Sequence, residues 1–156
     1  MKVFISYGAA ADQVTALRLQ ALGAVNGLTV YVPPAHTRQG VAAFLDPEAN
    51  RKLNEAEVVL GVVGVGLTEA CRLELNAGLA LRKHMIVMSY PTFSPQLQQH
   101  FGSNLVVIDP DNPGGAEIGI VAHLKTIHGQ QNAKTALLAL GTLALGLLIL
   151  APADQN

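Results

Sequence analysis

The chain has 156 residues, half of them hydrophobic and only 13% charged, with a formal net charge of -1. That length supports one domain with a substantial core, and the lack of a basic excess argues against nucleic acid as a partner. A single cysteine, Cys71, excludes an intramolecular disulfide.

The chain opens MKVFISYG, one lysine followed by a short strand-like run. It has neither the long apolar stretch nor the small-residue cleavage site of a signal peptide, so a cytoplasmic domain is expected. Lys2 to Tyr7 reads as a first buried strand, and Gly8 to Asp12 as a tight turn. Val14, Leu17, Ala21 and Leu22 recur at helical spacing, with Gly23 and Gly27 punctuating the end. Leu28 to Val32 is the second strand. Pro33 to Asp46 is the longest connection, opened by two prolines and broken by Gly40; connections of this length are often functional. Asp46-Pro47-Glu48 is a helix start, with an N-cap aspartate, a proline at the first helical position and an acid in the first turn. That helix is expected to run to about Ala56.

Glu57 to Leu67 holds a third strand whose continuous apolar run suits burial on both faces. Thr68 then caps a helix expected to extend to His84. Met85 to Tyr90 is a fourth strand stopped by Pro91, Gln96 to Phe101 a short helical turn, and Leu105 to Ile108 a fifth strand. After a loop, Asp109 to Gly115, an amphipathic helix spans Ala116 to His128 with Ile120, Leu124 and Ile127 on one side.

Strands alternating with helices call for an α/β fold, a parallel sheet with helices on both faces. The order 2-1-3-4-5, flavodoxin-like, is the expected five-stranded solution. Ligands in such folds bind beyond the carboxyl ends of the strands, where strands 1 and 3 lie side by side. Residues 1–128 form this domain and 129–135 a polar linker. Ala136 to Ala153 carries no charge over eighteen residues and is apolar on every face. It reads as a short membrane-spanning helix, since a span needs roughly 17 to 25 such residues; a buried terminal helix or an apolar self-association face is the alternative. Lys125 and Lys134 precede it and Asp154 follows, an arrangement that keeps the domain on the cytoplasmic side of an inner membrane. Thr142 and Gly146 add one small-xxx-small pair.

Several chemistries known on such sheets lack their residues. Ser6-Tyr7 and Gly64-Val-Gly66 stand where a receiver domain needs acids, and there is no GxxxxGK[ST] loop. Gly8-Ala-Ala-Ala is poor in the hydroxyls a flavin phosphate would want. Gly64-x-Gly66 ends on Glu69 rather than a third glycine and follows the wrong strand for a dinucleotide fingerprint. The five histidines make no i,i+4 ligand pair, so no metal site is expected. Cys71 has no histidine partner, and Ser6 lacks the nucleophile elbow of hydrolases.

Glu74 stands out. Its neighbours three and four residues away on the helix are Ala70, Cys71, Ala77 and Gly78, all small and none a cation. That leaves room for a group to approach the carboxylate; the plainer alternative is a border glutamate pointing outward.

Together these residues resemble the Toll/interleukin-1 receptor (TIR) domain in its bacterial form. Phe4-Ile-Ser-Tyr7 matches the family's first box, the loop ending Arg38-Gln39-Gly40 resembles its BB loop, and Cys71-Arg-Leu-Glu74 matches the third-helix pattern that leads into Met85-Ile-Val-Met-Ser-Tyr90. The resemblance covers about residues 2 to 128. Cys71 replaces the usual tryptophan, and the loop opens Pro-Pro without the common acidic residue. The resemblance implies cleavage of the nicotinamide–ribose bond of NAD+ with Glu74 as the catalytic residue, NAD+ being the substrate and no cofactor being needed. It also implies substrate contacts at Ser6, Tyr7, Gly8, Tyr31, Pro34, Arg38 and Cys71, with Tyr7 or Tyr31 stacking on a base and Arg38 pairing with phosphate. Partners would be other TIR domains, because the BB loop of one copy completes the site of the next, and a membrane through residues 136–153. Antiphage defence or NAD-derived signalling, including a cyclic ADP-ribose type product, is the family-level expectation. The rivals are a non-enzymatic TIR scaffold and a nucleoside deoxyribosyltransferase-like enzyme.

Overall fold

The computed structural model describes residues 1–38 and 44–129. Five strands, β1 (Lys2–Tyr7), β2 (Thr29–Tyr31), β3 (Val58–Val63), β4 (His84–Ser89) and β5 (Leu105–Val107), form one sheet in the order β2-β1-β3-β4-β5. All four pairings are parallel, with Ser6 opposite Gly61 and Tyr7 opposite Val62 in the central β1–β3 ladder. The α/β class and the order 2-1-3-4-5 are as the alternation of elements predicts.

Helices cover both faces. α1 (Asp12–Val25) and α5 (Pro113–Gly129) lie on one side, where Val3, Ile5, Val58, Leu60 and Ile86 meet Leu19, Ile120 and Leu124. α2 (Pro47–Glu55), α3 (Glu69–Ala80) and α4 (Ser94–Phe101) lie on the other, where Phe4, Val59 and Val87 meet Leu53, Leu75 and Leu97. β3 is buried at every residue, which is why its sequence is continuously apolar rather than alternating.

Helix ends differ most from expectation. α1 continues through Gly23 to Val25. Gly23 is a packing residue: a Cβ there would lie 2.6 Å from Val30 Cγ2. The turn is made instead by Gly27, whose φ of 78° favours glycine. α3 stops at Ala80 rather than His84, because Arg82 takes a left-handed φ of 53° and His84 already pairs with Val58 in the sheet. The caps hold: Asp46 accepts from the Ala49 N–H, and Thr68 from the Cys71 N–H.

Among the described residues no helix is long and apolar enough to cross a membrane. The apolar run 136–153 lies outside the described residues, as do Gln39 to Ala43 and, past Gly129, the rest of the linker.

Candidate active site around Glu74

The carboxyl ends of β1 and β3 deliver the site. Strand alternation puts Phe4 and Ser6 on the α3 side of the sheet, and Ser6 is fully buried there. From α3, Cys71 and Glu74 share one stripe facing it. The third component is a single 3-10 turn, Ala35–Arg38, in the long connection after β2.

These parts converge on one carboxylate. The Ser6 hydroxyl donates to Glu74 Oε2 at 2.5 Å, and Arg38 Nη2 donates to the same oxygen at 2.7 Å. Ser6 Oγ also lies 3.1 Å from Cys71 Sγ. A hydroxyl has one proton; the carboxylate takes it, and the thiol is left to donate to Ser6 Oγ. Arg38 and Glu74 form an ion pair whose side chains are 5% and 3% exposed. The guanidinium also lies over the Tyr7 ring, 4.5 Å from its centroid. Tyr7 is buried in turn, its hydroxyl donating to the Pro33 carbonyl at 3.0 Å.

Electrostatics follow from that burial. Loss of water raises the Glu74 pKa above its ordinary value of 4.5, although the Arg38 charge and the hydrogen bonds from Arg38 and Ser6 pull the other way; Asp46 adds to the rise. Burial likewise raises Tyr7 and, on β2, Tyr31. The Cys71 thiol is pushed up to about 12, again by burial first, so no thiolate is available near neutral pH. This agrees with reading Cys71 as a small buried residue rather than a nucleophile.

The surroundings of Glu74 differ from those inferred on its helix alone. It does not point outward, being 2% exposed. Nor do its small neighbours leave open space. Ser6 and Arg38 occupy the carboxylate, and Gly78 is small because a Cβ there would lie 2.8 Å from Met85 Sδ and 3.3 Å from Val59 Cγ2. The cation missing from its neighbours three and four residues away comes from Arg38, a residue remote in sequence.

Of the expected substrate contacts, Ser6, Tyr7, Arg38 and Cys71 gather with Glu74. Tyr7 has its ring under the guanidinium and is not free to stack on a base in this state. Tyr31 packs against Phe4, ring centroids 5.6 Å apart, with Lys52 Nζ 5.6 Å from its centroid, and its hydroxyl is buried without a partner among the described residues. Pro34 is exposed, and its carbonyl accepts the Thr37 N–H and hydroxyl instead of joining the cluster. Gly8 serves loop packing, since a Cβ there would fall 1.8 Å from the Gly66 carbonyl oxygen.

One residue of the site region was read only as part of a turn. Asp12, 5% exposed, accepts the Ala9 N–H at 3.0 Å and the Gly64 N–H at 3.0 Å. It ties the loop after β1 to the loop after β3, the first following Ser6 and the second leading into α3. Burial raises its pKa against those backbone N–H groups. The signal in the sequence is an aspartate just past the first strand with no cation near it. A separate groove of about 320 Å³ lies between α3 and α4, over Leu75, Leu79, Leu97 and Phe101; none of the residues gathered on Glu74 lines it.

No family model and no curated protein matches this chain. Among solved structures it is similar to the TIR domains of the activated Roq1 resistosome directly recognizing the pathogen effector XopQ, at 14% identity over 92% of this chain and 83% of that one, with a TM-score of 0.46. It is also similar to a 2-deoxyribosyltransferase from the psychrotolerant bacterium Bacillus psychrosaccharolyticus, at 16% identity over 57% of this chain and 72% of that one, with a TM-score of 0.43.

Proposed function

We propose that the chain is an NAD+ glycohydrolase in which Glu74 stabilises the ribose cation formed as nicotinamide departs. The observation that carries this reading is the Glu74 carboxylate, buried at the carboxyl ends of β1 and β3, the crevice where sheets of this order bind ligands, whereas the other buried acid there, Asp12, is taken up by backbone N–H groups of the two loops. The neighbours of Glu74 hold it without a second acid: Ser6 and Arg38 are its hydrogen-bond partners. A lone carboxylate suits this bond. Breaking C1′–N leaves the electron pair on the pyridine nitrogen and turns a cationic group into neutral nicotinamide, so no general acid is required. What needs support is the oxocarbenium-like ribose, as in glycoside hydrolysis. A negative charge beside C1′ supplies that support, or traps the cation covalently. Water then adds at C1′ and releases a proton, giving ADP-ribose; capture by an adenine nitrogen gives a cyclic product instead.

The deciding experiment incubates concentrated full-length protein, reconstituted in membranes, with NAD+ and follows products by mass spectrometry, for wild type and Glu74→Gln. Nicotinamide is expected from wild type, with a loss of at least about 100-fold in the variant, the scale of removing one group aimed at developing charge. A protein that acts only as a TIR–TIR scaffold releases none in either case and keeps its association in Glu74→Gln. A deoxyribosyltransferase-like enzyme exchanges bases on a deoxynucleoside and spares NAD+. Because burial raises Glu74, the acid limb of kcat/KM is expected above pH 4.5, rate increasing as the carboxylate ionises.

Self-association and an anchor at residues 136–153 belong to the same proposal. A tail in the inner membrane raises the local concentration of cytoplasmic domains. Membrane fractionation with and without residues 134–156 tests it.

A further inference from the structure

A carboxylate that acts on a sugar has to reach it, and Glu74 is 2% exposed with a guanidinium on the oxygen that Ser6 also holds. Arg38 is the part of that cover with unused bonding capacity. Only its Nη2 is engaged, by Glu74; Nε and Nη1 are buried and meet no acceptor among the described residues. Tyr31 Oη is a further buried hydroxyl without a partner among them, and the charges of Glu48, Asp46, Glu74 and Arg38 all reach it. Buried donors left unmet cost free energy, so a group with several acceptor oxygens is favoured beside them. A phosphate offers such oxygens and fits the planar guanidinium fork in a way one carboxylate oxygen does not. Beneath Arg38 the Tyr7 ring, fixed by its bond to Pro33, supports the guanidinium face without holding it to one direction in the plane.

We propose that Arg38 is a specificity-determining residue that exchanges partners. At rest its guanidinium covers Glu74; a phosphate group of the substrate draws it away through Nε and Nη1, and the carboxylate is uncovered only when that anion is bound. The proposal rests on reading Glu74 as the carboxylate that acts at the ribose, and adds that the site selects phosphate-bearing substrates by this exchange. The nicotinamide–ribose end is then never processed without the phosphate that accompanies it.

Two arms test it. In the first, full-length protein carrying 13C-carboxyl glutamate is titrated with inorganic pyrophosphate, and the Glu74 resonance, assigned with Glu74→Gln, is followed by NMR. A saturable shift is expected in wild type, in the direction produced by Arg38→Ala itself, and no shift in Arg38→Ala. An unmoved Glu74 resonance in wild type, or an equal shift in Arg38→Ala, overturns the exchange. Arg38→Lys, which keeps a charge but not the fork, guards against misfolding of the alanine variant and is expected to show a weaker shift. The second arm compares NAD+ with nicotinamide riboside, which has no phosphate. The preference for NAD+ is expected to fall at least about tenfold in Arg38→Ala and Arg38→Lys, the scale of one charge-assisted hydrogen bond. An unchanged preference, with nicotinamide released from both substrates, also overturns it. If no variant releases nicotinamide from either, the glycohydrolase reading falls, and the pyrophosphate titration still decides whether Arg38 exchanges partners.

Discussion

Two of the ion pairs that join remote parts of the described chain, Arg18–Glu117 and Arg38–Glu74, are built differently. Arg18 on α1 reaches Glu117 on α5 with Nη2 at 2.6 Å and Nε at 3.1 Å from Oε1. Glu117 is buried there, but Arg18 is 52% exposed, so its charge stays in water while its stem spans the gap. Arg38 and Glu74 make one bond at 2.7 Å with both side chains nearly out of solvent and two guanidinium nitrogens unmet among the described residues. The first arrangement suits a clamp between helices. In the second, both charges lose their hydration for one hydrogen bond between them, which is weak support for a fold. Perturbed, dehydrated groups of that kind gather where chemistry is done.

The largest effect should come from splitting the buried pair. Arg38→Ala leaves the Glu74 carboxylate buried beside Ser6 without a cation, and denaturant unfolding at pH 7 is expected to show a loss of about 3–5 kcal/mol. Replacing both partners, Arg38→Met with Glu74→Leu, should return most of that, because two apolar side chains remove both desolvated charges. A double variant as unstable as the single one would mean that the pair itself stabilises the fold, and the contrast with Arg18–Glu117 would fail.

Proton linkage gives a second, smaller handle. Folding raises the Glu74 pKa, so from pH 4.5 up to the folded value the native state keeps a proton that the unfolded chain has lost. Stability should therefore fall as pH rises across that window, by at most about 1.4 kcal/mol per pH unit from this group. Below the window the contribution is fully present. Asp12 acts with the same sign from a lower start, its ordinary value being 3.8. Melting curves across this range should be flatter for Glu74→Gln than for wild type. A wild-type stability that climbs from pH 4.5 upward, with the climb lost in Glu74→Gln, would show that Arg38 outweighs desolvation.

Why the sequence discloses some of this and hides the rest is a matter of range. The sheet order was legible because Val58 to Val63 is apolar without interruption and helices separate every strand. The starts of α2 and α3 were legible because Asp46 and Thr68 cap their own helices three residues on. The ends were not. Gly23 lies inside α1 to admit Val30, and α3 ends at Ala80 ahead of a left-handed Arg82, which carries no breaker signal. Glu74 stood out through its small helix neighbours, yet the reason for one of them, Gly78, is Met85 on the next strand. What governs the carboxylate comes from outside its helix: Ser6 from β1 and Arg38 from a turn 36 residues away. No periodicity within a segment carries a contact of that separation, and a buried pair between a loop and a helix appears only when the sheet brings them together.

The smallest expected effect belongs to the other pair. Arg18→Ala removes a cation that water already solvates, and Glu117 keeps some access to solvent once the stem is gone, so a loss of no more than about 1 kcal/mol is expected in denaturant unfolding. It should shrink as salt is raised, since an exposed charge is screened within about 10 Å at 0.1 M ionic strength. Nicotinamide release should be unchanged, because Arg18 sits on the α1–α5 side of the sheet, opposite to Ser6 and α3. A loss in Arg18→Ala as large as that in Arg38→Ala, insensitive to salt, would place the two pairs in one class, and burial of Arg38 would no longer distinguish the site from an ordinary helix clamp.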